Sequence, residues 1–323
     1  MAKLFWKKGS HSVWARNFGW LLEAGMLSGL WLLVKPFSPQ RVGKIGGSLM
    51  AWLGPKTNKH KHIQANLRTA LPEKSPREIE VLASSCWRNL GTVLAEFGCI
   101  DKLMDMQTDE PAIEIVNTNP SEAFKACSQP CIFIAAHLGN WELSAFAIHE
   151  FGYPVDVVYS PLANAYLETR VQRKRRLMHC GFIPKANALR PMYKNLKNNR
   201  SIGLHVDVRI DGGDIYPLCG VGATTTTAPA WLALKTGLDI VPMVSERLPS
   251  GKYRTTFYPA LSMPADSKSD TAIEEVTTEM NRVIGDLIRE HAGQWLCTKR
   301  RWPKESMREQ GAYTDVPSQP STT

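Results

Sequence analysis

The sequence predicts an α/β fold: a largely parallel central sheet flanked by helices, with an N-terminal membrane-associated helical segment. Three observations predict it. From about residue 113, short apolar runs alternate with stretches of helical spacing, the pattern of a parallel sheet with crossover helices. Residues 62–105, by contrast, carry helical texture alone. Ahead of them, residues 18–34 read FGWLLEAGMLSGLWLLV, seventeen residues with one charge.

In chain order, the apolar segment comes first. As a helix it would be about 26 Å long, slightly short of a ~30 Å hydrocarbon core. KPFSP follows it where a signal peptide would carry small residues for cleavage, so removal is not expected. Cations flank it on both sides, and Trp20 and Trp31 stand near its ends. That pattern suits a helix that spans a bilayer and equally one that lies in its interface, with a buried helix of a soluble protein as the less favoured alternative. After the break at Pro72, a second helix of the 62–105 region should follow Ser75-Pro76, with proline at the first helical position. Strands are expected at 112–116, 131–136, 155–159, 201–208, 240–246 and 253–258. Helical stretches are expected at 120–127, 141–151, 165–180, 190–198, 226–236 and 272–291. Residues 303–323 are polar and contain proline, and are expected to form a disordered tail. The chain therefore divides into a basic N-terminal region (1–62), an α/β domain (63–302) and that tail.

Charge is unevenly placed. The 323 residues carry a formal +9, yet residues 1–62 hold ten Lys/Arg against the single acid Glu23, and the remainder is balanced. A neutral body behind a basic head is not the pattern of a uniformly basic nucleic-acid binder. The seven cysteines are scattered and never spaced C-x-x-C, which favours reduced thiols over a disulfide framework or a zinc site.

Several chemistries lose their signatures. There is no G-x-S-x-G elbow, no Walker A loop and no H-E-x-x-H, and the G-x-G begun at Gly220 fails at Thr225. What remains is the buried-looking run CIFIAA leading into His137-Leu-Gly-Asn-Trp-Glu142 and then a helix. The carboxyl end of such a strand is where open α/β sheets bind ligands. There His137 could act as general base on a hydroxyl, with Glu142 orienting the imidazole and stabilising its protonated form. Gly139 would let the turn bring the two side chains together. Spacing alone also admits a histidine bonded to backbone and an ordinary first-turn acid.

The block AAHLGNWELSA resembles the H-x4-E/D block of the bacterial lipid A late acyltransferases, the lauroyl/myristoyl acyltransferase family. Further blocks agree in order. They are Asn66-Leu67 with Ala70-Leu71-Pro72-Glu73, Asn89-Leu90-Gly91 with Glu96, VYSPLANAYLE at 158–168, PLCGVGATTTTAPAWLALKTG at 217–237, and Gln294-Trp295-Leu296 with Lys299-Arg300-Arg301-Trp302. The resemblance covers roughly residues 15–303. It departs at Cys219, Cys297 and Lys299, where the family usually shows Phe, an aromatic residue and His, so chain length and exact acceptor are the details those positions bear on.

The resemblance implies a membrane-associated O-acyltransferase working without a covalent acyl-enzyme, at the bacterial inner membrane with its catalytic domain on the cytoplasmic face. A fatty acyl chain would move from a thioester of acyl carrier protein, or from acyl-CoA, onto a hydroxyl of a glycolipid acceptor, a lipid A precursor. No metal or organic cofactor is implied. His137 and Glu142 take the catalytic roles. An arginine of the helix after residue 165 is implied to reach the site, with Arg173, Arg175 and Arg176 as candidates, and Asp207 to serve the pocket. Asn140 is expected to hold the loop against substrate. Residues 169–206 contain ten cations and no acid, which suits an anionic partner, phosphates or acyl carrier protein, or a face toward anionic headgroups. The alternatives are an acyltransferase of the same superfamily on a lysophospholipid or another glycolipid, a thioesterase in which water replaces the hydroxyl, and a non-catalytic membrane scaffold that keeps the fold.

Overall fold

Helix starts follow the caps written in the sequence. In the computed structural model, which describes residues 13–313, Ser75 accepts from the Glu78 amide while Glu78 reaches back to the Ser75 N–H, and Pro76 occupies the first helical position. This capping box opens a long helix. The helical N-terminal part comprises α1 (Val13–Val34), α2 (Pro39–Leu53), α3 (His60–Ala70), α4 (Pro76–Glu96) and the short α5 (Ile100–Leu103). The α/β part continues with β1 (Ile113–Asn117), α6 (Glu122–Lys125), β2 (Ile132–Ala135), α7 (Ser144–Glu150), β3 (Val155–Tyr159), α8 (Ala165–Arg175), β4 (Gly181–Pro184), α9 (Leu189–Lys197) and β5 (Ser201–His205). After a hairpin of β6 (Ile215–Leu218) and β7 (Val221–Thr224) come α10 (Ala228–Thr236), β8 (Ile240–Arg247), β9 (Tyr253–Phe257), α11 (Ala272–Glu290) and α12 (Lys304–Glu309).

The fold is mixed α/β with a mostly parallel seven-stranded sheet, in the order β1-β9-β8-β2-β5-β3-β4. Strands β8, β2, β5, β3 and β4 run parallel; β9 pairs antiparallel to β8, and β1 parallel to β9. All four residues of β2 are buried, which is why the segment reads as a continuous apolar run. The chain leaves β2, builds β3 and β4 beyond a gap, and returns to insert β5 between β2 and β3. That insertion positions the site, because Ala135 at the end of β2 lies in register with His205 at the end of β5.

Three strands were not expected, nor was helix α2. The edge strand β4 has a proline at its end and follows His179, which adopts a left-handed backbone, so its four residues carry no strand-like alternation. The β6–β7 hairpin is built from Tyr-Pro and Gly-Ala-Thr sequences that read as loop. Expected as disordered tail, residues 304–313 instead form α12 and a turn. Met307 and Ala312 are buried, Tyr313 packs against the same core, and Arg68 donates to the Ala312 carbonyl, which together hold a segment of polar composition. Residues 314–323 of that tail, and residues 1–12 of the basic head with Lys3, Lys7 and Lys8, lie outside the described residues.

Candidate active site

The site begins where β2 and β5 end. Both strands overshoot their last paired residues by two positions, which brings His137 beside Asp207. One Asp207 carboxylate oxygen, Oδ1, lies 2.7 Å from His137 Nδ1. The other, Oδ2, accepts from the His137 backbone N–H at 3.1 Å and from Trp295 Nε1 at 2.8 Å. The Asp207 side chain is 2% exposed and His137 is 23% exposed. An ionised carboxylate only accepts, so Nδ1 carries the proton and Nε2 is left as the basic nitrogen.

Electrostatics reinforce this assignment. Burial pushes the His137 imidazole down, but the Asp207 charge and hydrogen bond, with Glu142 behind them, raise it above its ordinary value. Asp207 is shifted the opposite way: burial opposes ionisation, yet His137 and the Trp295 N–H hold the carboxyl far below the usual range. His205 stacks on the His137 ring with centroids 4.3 Å apart. Burial and the neighbouring His137 charge lower its pKa to about 3, so His205 stays neutral.

Glu142 makes no hydrogen bond to His137 among the described residues. It sits in the single 3-10 turn Trp141–Leu143 and is held bidentately by Arg175 of α8, Nε to Oε2 at 2.9 Å and Nη2 to Oε1 at 2.7 Å. The expected His137–Glu142 hydrogen bond is therefore absent among the described residues. The physical reason is direction: the His137 ring turns along β5 to Asp207, while the 3-10 turn carries Glu142 toward α8. Of the three arginine candidates, Arg175 is turned inward, whereas Arg173 and Arg176 are exposed on α8 and the turn that follows.

The His137 loop is clamped from behind. Gly139 adopts φ +52°, and a Cβ there would collide with the Ser245 carbonyl of β8. Asn140 is buried; its backbone N–H donates to that same carbonyl. The Leu296 N–H donates to the His137 carbonyl and the Gly139 N–H to that of Gln294, so the closing QWL block pairs with the loop. Asn89 of α4 bridges the Gly139 and Gln294 carbonyls. Below, Glu96 of α4 is enclosed by Arg247 and Tyr253, which ties the helical part to β8 and β9. The sequence placed Trp295 in the closing block without a role, and it did not reveal His205 or the Asp207–His137 bond. The signal for Trp295 was its place in the closing block; for His205 there was none beyond its position two residues before Asp207.

The family model for bacterial lipid A biosynthesis acyltransferases matches residues 14–304. The chain belongs to this family. Comparison with curated proteins returned no match. As a lipid A biosynthesis acyltransferase the protein is an acyl-transfer enzyme, acting between an acyl donor and a lipid acceptor. Its apolar helix α1 is long and apolar enough to anchor in a membrane. No group of three or more His, Cys, Asp or Glu among the described residues is arranged to hold a metal ion.

Proposed function

We propose that this acyltransferase moves a fatty acyl chain from a thioester, acyl carrier protein or acyl-CoA, to a hydroxyl of a lipid A precursor, with His137 as general base. The observation that carries the reading is the His137 ring itself: Nδ1 is anchored on buried Asp207, and Nε2 is left to take a proton at the carboxyl end of β2. Nε2 removes the acceptor hydroxyl proton as the oxygen attacks the thioester carbonyl. The tetrahedral intermediate then expels the thiolate, which takes the same proton back from Nε2. Asp207 stabilises the imidazolium between these steps. No Ser or Cys nucleophile is needed, so no acylated protein forms. Glu142 and Arg175 build the adjoining wall rather than the proton relay, and the remaining Arg175 nitrogen, Nη1, is available to the thioester oxyanion. We assign Asn140 to loop geometry. We also propose attachment to the cytoplasmic face of the inner membrane through the basic, apolar head.

The test is transfer from acyl carrier protein thioester to a lipid A precursor, read by mass spectrometry of the lipid. His137→Ala should abolish the product while the fold persists by circular dichroism. Near-normal transfer by that variant, or a covalently acylated protein trapped with donor alone, would overturn the mechanism.

A further inference from the structure

Helix α1 is docked on the body of the protein from Trp20 onward. Asn164, which caps α8, donates to the Trp20 carbonyl and to Glu23 Oε2, each at 2.9 Å. Arg170 Nε reaches Ser28 Oγ at 2.7 Å. Trp31 packs on Phe97, and the Lys174 ammonium lies 5.3 Å from its ring centre. Val34 and Trp31 both close on Gly98. These contacts run from Trp20 to Val34, ~21 Å of helix at 1.5 Å per residue. In a spanning orientation the same stretch would occupy most of a ~30 Å hydrocarbon core and would carry Asn164, Arg170 and Lys174 into it. The docked helix and a transmembrane helix are therefore incompatible.

The opposite face of α1 is bare. Leu22, Met26, Leu30 and Leu33 are exposed, Met26 at 77%. The turn that follows exposes Phe37, and Lys102 pins its backbone at the Lys35 and Phe37 carbonyls. Helix α2 then repeats the arrangement. Its inner face, Gly43, Gly46 and Gly47, lies so close to α4 that a Cβ at any of them would collide with a neighbour there, which fixes the outer face. That outer face presents Ile45, Leu49, Trp52 and Leu53, with Arg41 and Lys44 beside them and the Lys56 ammonium 3.4 Å from the Trp52 ring centre. Helix α2 contains no acid, and the one acid of the head, Glu23, accepts from Asn164 on the docked side. Apolar side chains ringed by cations on a fixed surface fit an anionic bilayer interface.

We propose that α1 lies in the plane of one leaflet instead of crossing it, and that the outer face of α2 enters the same leaflet. The protein is then monotopic, held by two consecutive helices. The proposal rests on the membrane attachment put forward above, and the test separates the two.

The full chain is produced with one epitope ahead of Met1 and another after Thr323, and protease is added to inside-out and right-side-out inner-membrane vesicles. Both epitopes should be lost in the same vesicle orientation. Loss in opposite orientations would overturn the in-plane arrangement while leaving attachment intact. Recovery of the chain in the soluble fraction at low salt would instead remove attachment itself. For α2, Leu49→Ser with Trp52→Ser should cut flotation on vesicles of phosphatidylglycerol and phosphatidylethanolamine by tenfold or more. Unchanged flotation would overturn its part, as would a vesicle-independent dimer that the same substitutions dissolve.

Discussion

Two carboxylate–cation pairs stand side by side at the carboxyl end of β2, and they differ in what their cation can do. Asp207 faces an imidazole, which gains and loses a proton near neutrality, and is fastened by the Trp295 indole and the His137 backbone. Glu142 faces a guanidinium, which never gives up its proton, in a fork of two parallel bonds. The first pair can cycle a proton; the second cannot, and serves by holding position and by the positive charge of Arg175. A sequence motif that couples His137 to Glu142 by spacing thus conceals a division of labour: proton transfer along β5, wall geometry along α8.

Breaking the first pair should have the largest effect. Loss of a general base costs about 10²–10⁴-fold in rate, so His137→Ala should fall in that range in kcat/KM. Asp207→Asn should follow closely, and the double variant should be scarcely worse than His137→Ala, because the two act as one unit. Their pH signatures differ. With its pKa raised above 6.5 by Asp207 against the pull of burial, His137 is the free base only on the alkaline side, so wild-type activity should climb through a pKa above 6.5. In Asp207→Asn the residual activity should climb at lower pH, since burial remains and the charge is gone. Stability runs the other way. The share due to His137 is full below pH 6.5 and is lost as pH rises through its raised value. The share due to Asp207 is present above its ordinary value of 3.8 and is lost only as pH falls through its depressed one.

The second pair should break differently. Arg175→Ala leaves the Glu142 carboxylate, 14% exposed, without its counter-charge. Removing one partner of a buried pair costs about 3–5 kcal/mol. The partial exposure here puts the expected loss at the low end, read as a lower urea midpoint. Glu142→Gln, which keeps an acceptor for Arg175, should cost less in stability and should leave the pH limb of activity in place. A shift of that limb as large as that of Asp207→Asn would return Glu142 to the proton relay.

The difference between the pairs also shows where sequence reading stops. The strands that hold the site were legible because β2, β5 and β8 contain apolar runs bounded by turn residues, and α4 because Ser75, Pro76 and Glu78 write its start. His137 was legible from its place after CIFIAA. Its partner was not, because Asp207 lies seventy residues on and becomes a neighbour only when β5 inserts between β2 and β3. Nothing local encodes that insertion. The Trp295 contact was hidden for the same reason: its one N–H finds Asp207 only in three dimensions. Residues 304–313 were misread because composition alone sets the expectation for a terminus, while buried Met307 and Ala312 anchor a segment most of whose polar side chains stay exposed.

A smaller effect is expected outside the two pairs. Of the ten cations in 169–206, Arg175 is committed to Glu142, Arg200 to Asp156, and Arg170 and Lys174 to contacts on α1 or beside it. Arg173 and Arg176 are exposed with no carboxylate partner among the described residues. Contacts from charged groups to an anionic substrate or carrier are worth about 1.5–3 kcal/mol each. Arg173→Glu with Arg176→Glu should therefore raise KM tenfold or more at low salt, with kcat and the pH limb unchanged and the defect shrinking as salt screens it. An unaltered KM would assign these cations to solvent.

The smallest effect tests how the two regions meet, at His205. Stacked on His137 and kept neutral down to about pH 3, this imidazole binds fewer protons in the folded chain than in the unfolded one between pH 6.5 and 3. The unfolded state therefore gains as pH falls through that window, at up to about 1.4 kcal/mol per pH unit. His205→Phe keeps an aromatic ring against His137 and removes the titration. Acid unfolding of the variant, followed by circular dichroism, should move to lower pH, the direction opposite to that expected for Asp207→Asn. At pH 7.5 its activity should stay within about tenfold of wild type, because an aromatic contact is worth about 0.5–1.5 kcal/mol beyond burial. A loss as deep as that of His137→Ala, with the fold intact, would mean that His205 handles a proton itself, and the relay would then have to run through the stacked histidines instead of ending at Asp207.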